Sequence, residues 1–239
     1  MSKLIIPEIQ ESHMQTKGML TPMGRGSFLK YLGASAALTA LVLTGCKDDD
    51  DDMTIQGVNL GSGDTGILNY AYALEQLEAA FYSQVISSKY SGMSSAEQEI
   101  LTEIRDHELV HRDFFKAALG SNAIGSLQVD FSSIDFTSRT AVLGAAKVFE
   151  DLGVSAYNGA GKLLQSADYL LIAGKIVSVE ARHAAAIRDL LNPNSADFAG
   201  DDIVTASNGL DAAKAPSDVL TAAKTYIKNT INASNLPQS

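Results

Sequence analysis

Two stretches of this chain place a glutamate, and three residues later a histidine, in the middle of an apolar row spaced for one face of a helix. One row reads Leu101, Ile104, Glu108, His111, Phe115, Ala118; the other reads Ala173, Ile176, Glu180, His183, Ile187, Leu190. Alternating steps of three and four residues are the period of a helix packed along a seam. Two more rows share the period and carry acid at the same depth: Leu68, Ala71, Glu75, Glu78, Tyr82, Val85, and Leu143, Ala146, Glu150, Gly153, Tyr157, Ala160. Four such rows predict an all-α bundle whose acids meet in one core.

Start and stop signals divide the chain accordingly. Asp64 is placed to cap a first helix from Thr65 to Ser88. Ser94-Ser95-Ala96-Glu97 reads as a capping box opening the second, and Gly120 follows its last apolar residue. A Ser-rich, β-prone stretch from Ser121 to Asp135 leads to a third helix, which starts near Thr137 or Ser138 and runs to about Leu164. Ser166 caps the fourth, and Asn192-Pro193 stops it because proline cannot continue a helix. Short links within each hairpin and one long crossover between them suit a four-helix bundle over 65–192. Glu-x6-Tyr recurs in helices one and three, and Glu-x-x-His in helices two and four. The hairpins therefore read as two copies offset by 72 to 75 residues, related by a pseudo-twofold. Residues 193–239 form an extension with one short helix between Pro216 and Asn229.

The front of the chain reads as a targeting segment. Arg25 and Lys30 precede an apolar run from Tyr31 to Leu43, closed by Leu43-Thr44-Gly45-Cys46. A basic region, a short apolar region and small residues before a cut make a secretory signal, and the run is too short for a comfortable membrane span. Leu-Thr-Gly-Cys resembles the lipobox of bacterial lipoproteins, which makes Cys46, the single cysteine, the expected lipidation site and residues 1–46 the signal. Arg25-Gly26-Ser27-Phe28-Leu29-Lys30 resembles a twin-arginine export motif with glycine in place of the second arginine. Lys47 and five aspartates, Asp48 to Asp52, open an acidic tether over 47–64. Cys-Lys-Asp-Asp also resembles a signal for the outer cell surface, although the run serves equally as a plain solvated spacer. The expected place is the outer membrane or cell surface, with the membrane as partner through a lipid anchor. Removing residues 1–45 leaves 14 basic against 26 acidic residues, a net −12, which weighs against nucleic acid as a partner.

Carboxylates in a bundle core are costly unless protonated or compensated by positive charge. The rows contain no lysine or arginine. Two divalent cations would balance four carboxylates, and two neutral imidazoles would complete their shells. Three residues make nearly one helical turn, so the glutamate and histidine of each Glu-x-x-His point at one location. One such pair is a weak signal. Two pairs, taken from the three histidines that follow Cys46 and both centred on apolar rows, are a strong one. The third histidine, His107, lies off the row and reads as an exposed helix residue.

These residues resemble the ferritin-like superfamily, in which two helices give one glutamate each and the other two give Glu-x-x-His. The likeness is closest to the ferritin-like family of exported bacterial proteins and plant desiccation-related proteins. It is carried by Leu68-Asn69-Tyr70-Ala71, Leu77-Glu78-Ala79-Ala80-Phe81-Tyr82, Phe149-Glu150-Asp151-Leu152-Gly153-Val154 and Val179-Glu180-Ala181-Arg182-His183-Ala184-Ala185. By this resemblance, Glu75 and His111 bind one metal, Glu150 and His183 the other, and Glu108 and Glu180 bridge both. Glu78, which faces Gly153 in the repeat, is an additional or alternative ligand. Tyr82 and Tyr157 either hydrogen-bond ligands or carry a radical, or are core tyrosines with a satisfied hydroxyl. The expected cofactor is two Fe or two Mn ions, with Zn also suited to the donors. The expected function is a membrane-tethered oxidoreductase acting on O2, peroxide or Fe(II). The alternative is a non-catalytic envelope protein of stress or desiccation tolerance with a structural metal.

Overall fold

The computed structural model describes residues 57–238, so the signal, Cys46 and the aspartate run of the tether lie outside the described residues. The fold is all-α. Its elements are β1 (Val58–Asn59), α1 (Gly63–Ser87), α2 (Ser95–Leu119), α3 (Arg139–Gly161), α4 (Ala167–Leu191), α5 (Pro216–Ala223) and β2 (Ile231–Asn232). Helices α1 and α2 form one antiparallel hairpin and α3 and α4 the other; across the bundle α1 meets α3 and α2 meets α4. The long crossover between α2 and α3 and the short α5 complete the predicted architecture. Among the described residues no helix is long and apolar enough to cross a membrane.

Three of the four bundle helices begin at the caps the sequence indicates. Ser94 and Glu97 form the full capping box, Ser94 Oγ accepting from Glu97 N at 3.1 Å and Glu97 Oε2 accepting from Ser94 N at 3.1 Å. Ser138 and Ser166 accept from Ala141 N and Tyr169 N. The first helix differs. It starts at Gly63 behind Ser62, and Asp64 does not cap it. Instead Asp64 accepts hydrogen bonds from the backbone N–H groups of Gln165 and Ser166, at 2.8 and 2.9 Å, tying the start of α1 to the turn between α3 and α4. A carboxylate there satisfies two donors that a tight turn leaves open.

The acidic stretch also ends sooner than the sequence suggests. Val58–Asn59 pairs in parallel with Ile231–Asn232, and Leu60 is fully buried, so residues 57–64 join the fold. The crossover is held by buried amides on α1. Asn69 donates to the carbonyls of Leu60 and Asn122 and accepts from Ile124 N, while Gln76 accepts from Leu127 N. These amides meet part of the segment's backbone hydrogen-bond needs, and the C-terminal extension meets more, through Asp130 N to Tyr226 O and Lys228 N to Gln128 O. Phe131 of the crossover packs with Phe81 and Phe149, and Phe149 meets Tyr226 edge-on at 4.7 Å, which closes one side of the core. The C-terminal extension is clamped by Arg188, buried on α4, which forks onto Asp151 and Asp202 at 2.7 to 3.0 Å. It also runs against Gly159, where a Cβ would fall 1.8 Å from the Lys214 carbonyl oxygen; only glycine allows that approach. The helix predicted from Pro216 to Asn229 is shorter, ending at Ala223.

Candidate metal centre

The bundle brings all six predicted ligand residues to one place near mid-height. Glu75, Glu108, Glu150 and Glu180, one from each helix, are completely buried. His111 Nδ1 lies 2.9 Å from Glu180 Oε1, 3.5 Å from Glu75 Oε2 and 3.6 Å from Glu108 Oε2. His183 Nδ1 lies 2.8 Å from Glu108 Oε1 and 3.5 Å from both Glu150 Oε2 and Glu180 Oε2. The donors sort into two overlapping groups, Glu75, Glu108, His111, Glu180 and Glu108, Glu150, Glu180, His183, each with ligand atoms within 4.8 Å of one another. Glu108 and Glu180 belong to both.

The hydrogen-bond pattern separates the glutamates into two kinds. Tyr157 donates to Glu75 Oε1, and Tyr82 donates to Glu150 Oε1 at 2.5 Å, so each hairpin's tyrosine serves the other hairpin's glutamate. Those glutamates keep one free oxygen each. Glu108 and Glu180 keep both. Eight atoms of the cluster have no hydrogen-bond partner outside it and face one another: Glu75 Oε2, Glu150 Oε2, both carboxylate oxygens of Glu108 and Glu180, and Nδ1 of His111 and His183. Buried polar atoms almost always find partners; here either protons shared between the imidazoles and the carboxylates or bound cations would supply them. Eight donors, four carboxylates and two imidazoles suit two divalent cations of the Fe, Mn or Zn type at four protein atoms each. Each of the two groups could hold an ion.

Without an ion the site compensates its charge through protons. Burial pushes the Glu75 carboxyl well above the usual range, and the nearby Glu180 pushes it further. Burial likewise raises Glu150, to about 8. Burial also works against charge on Glu108, but the two imidazoles beside it prevail and hold it at about 2. Burial alone would lower the histidines; the carboxylates around them raise both to about 12. The histidines, neutral in the sequence argument, are thus the cations of the metal-free site. Burial, with Glu150 next, raises the Tyr82 hydroxyl, and burial, with Glu75 next, raises that of Tyr157; both are held as donors.

Glu78 is buried but belongs to neither donor group. Its carboxylate lies over Gly153, where a Cβ would sit 3.0 Å from Glu78 Oε1. The residue that breaks the repeat on α1 therefore fits because its counterpart on α3 has no side chain. Burial raises its carboxyl well above the usual range, with Glu180 and Glu108 adding to the shift.

His107 was missed. It is exposed, as its position off the row suggests, yet its Nδ1 lies 2.9 Å from Nε2 of His183. His107, Val110, His111, Val179, Arg182 and His183 line a surface depression between α2 and α4, the face on which both histidines come nearest to solvent.

The model of one family, described as a ferritin-like domain, matches residues 63–193, the span of the four bundle helices. No curated protein matches the chain.

Proposed function

Starting from the chain's membership of the ferritin-like domain family, we propose that it is a dinuclear metal protein, an oxidoreductase acting on O2, peroxide or Fe(II). The observation that carries this reading is the set of eight buried donor atoms that face one another with no hydrogen-bond partner outside the cluster, divided into two groups that share Glu108 and Glu180. In these roles Glu75 and His111 would hold one ion, Glu150 and His183 the other, and Glu108 and Glu180, which belong to both donor groups, would serve both. Two Fe or Mn ions bound there supply one-electron redox chemistry at two adjacent centres. The chain's own part is to hold and exclude. Tyr82 and Tyr157 fix the rotamers of Glu150 and Glu75 through the oxygens not used on an ion. The apolar residues on either side of the site, Leu101, Leu143 and Ile187 towards one end of the bundle and Leu68, Phe115 and Ile176 towards the other, keep bulk water out.

The chain is further proposed to be an exported lipoprotein, acylated at Cys46 and held off the outer membrane or cell surface by its aspartate run. The Leu-Thr-Gly-Cys sequence supports this. Cys46→Ala should release the protein from the membrane fraction or leave it uncleaved, and fractionation identical to wild type would remove the anchor from the account.

The test of the activity is turnover. Chain loaded with Fe or Mn should consume hydrogen peroxide or oxidise Fe(II) faster than His183→Ala chain under the same conditions. Full loading without turnover of peroxide, O2 or Fe(II) would leave a structural metal and a non-catalytic envelope protein.

A further inference from the structure

The pseudo-twofold that relates the two Glu-x-x-His pairs does not extend one residue further. Stepping 72 residues takes Glu108 to Glu180 and His111 to His183, but it takes His107 to Val179. His107 reaches across from α2 to the outer nitrogen of His183 on α4. Val179, in the matching place on α4, has no polar atom to offer, and among the described residues no hydrogen bond reaches Nε2 of His111.

The bond between the two histidines is well aligned. Their ring planes differ by 8° and their centroids are 5.1 Å apart. With the nitrogens at 2.9 Å, that separation is close to the greatest the rings allow, so they meet edge to edge rather than face to face. The direction of the bond follows from what Nδ1 of His183 faces. That atom points at Glu108, Glu150 and Glu180, so it is the nitrogen available to an ion, and it must be without a proton to bind one. A neutral imidazole then carries its proton on Nε2 and donates it to Nδ1 of His107, whose own proton sits on its outer nitrogen. The reverse arrangement would put the His183 proton among the metal donors.

We propose that His107 is a positioning residue that fixes the ring and tautomer of His183 and so makes the two metal positions unequal, with the His183 position the tighter. The proposal rests on the dinuclear reading above. An acceptor behind a ligating histidine raises its basicity and holds its orientation, and its loss typically weakens metal binding about 10–100-fold. The His111 position has no such support, so it fills second and empties first.

The test separates the positions with the full-length chain, stripped of metal and titrated with Co(II) while its visible absorption is followed. In a His111→Ala background, which keeps the His183 position, adding His107→Val should weaken binding about 10–100-fold. In a His183→Ala background the same substitution should change nothing. His107→Gln, whose amide oxygen can accept the Nε2–H bond, should restore most of the loss. A merely structural role would weaken both backgrounds alike, and that result, or no effect in the His111→Ala background, overturns the proposal. Wild-type chain that binds no Co(II), Fe or Mn overturns the dinuclear reading and this one with it; two ions bound without background dependence overturn this one alone.

Discussion

At the scale of single residues, the centre depends on which oxygen each glutamate keeps free. Tyr157→Phe and Tyr82→Phe should each leave one buried carboxylate oxygen without its donor and cost about 1–3 kcal/mol, read from denaturant unfolding of the metal-free chain. Because the two bonds are related by the pseudo-twofold, the two losses should be similar; a variant as stable as wild type would show that its hydroxyl does not support the site. Glu108→Ala and Glu180→Ala should lower occupancy of both ions, whereas His111→Ala and His183→Ala should each empty mostly one, as counted by elemental analysis. Equal loss in all four would remove the distinction between bridging and terminal residues. The six converging side chains were legible in the sequence because each sits on an apolar row, and periodicity alone brings such a residue to a core. His107 was not, because its contact crosses from one helix to another on a partly solvated face, where no row marks it. Its only trace in the sequence is the mismatch with Val179 in the repeat. The counter-charge of the metal-free centre is likewise hidden from the sequence, because it comes not from lysine or arginine but from the two imidazoles, which the carboxylates themselves raise to about 12.

At the scale of elements, local signals worked where the interaction is local. Ser94 and Glu97 close their box within three residues, and Glu97 also receives Arg139 Nε at 2.5 Å, so the start of α2 is tied to the start of α3. Ser94→Ala should therefore cost about 1 kcal/mol through the lost cap, measured as a shift in denaturant midpoint at unchanged slope. No shift would mean that the helix start is held by packing alone. Asp64 is the contrary case. Its position before an apolar run fits a cap, but its carboxylate serves two N–H groups about a hundred residues away, and no local rule encodes such a contact. The pairing of β1 with β2 was equally hidden, since strands of two residues at opposite ends of the domain carry no period. The early end of α5 at Ala223 lets Ile227 bridge to Val129 and Tyr226 reach Phe149, tertiary contacts that override helix propensity.

At the scale of the whole molecule, the metal-free centre should make stability fall as pH rises. Glu150 at about 8, the raised Glu75 and Glu78, and both histidines at about 12 hold protons in the folded chain that the unfolded chain has already released. Their stabilisation is complete below the unfolded values, near 4.5 for the acids and 6.5 for the histidines, and is lost as pH rises through the folded ones. Glu108, held at about 2, acts in the other sense; its share is lost only as pH falls through that value, outside the range from 5 to 8. Metal-free chain should thus melt lower at pH 8 than at pH 5. Metal displaces the same protons, so the gain in melting temperature on loading should be larger at pH 8. With free metal a hundredfold above its dissociation constant, the gain corresponds to about 2.7 kcal/mol. A gain no larger at pH 8 would mean that these groups do not give up protons to an ion. The most direct measurement is the metal content of folded protein purified from its native source, by elemental analysis per chain beside a circular dichroism spectrum. The account predicts close to two Fe or Mn ions on a helical chain; a fully helical chain that carries none, and takes up no Fe, Mn or Zn when they are supplied, would contradict it.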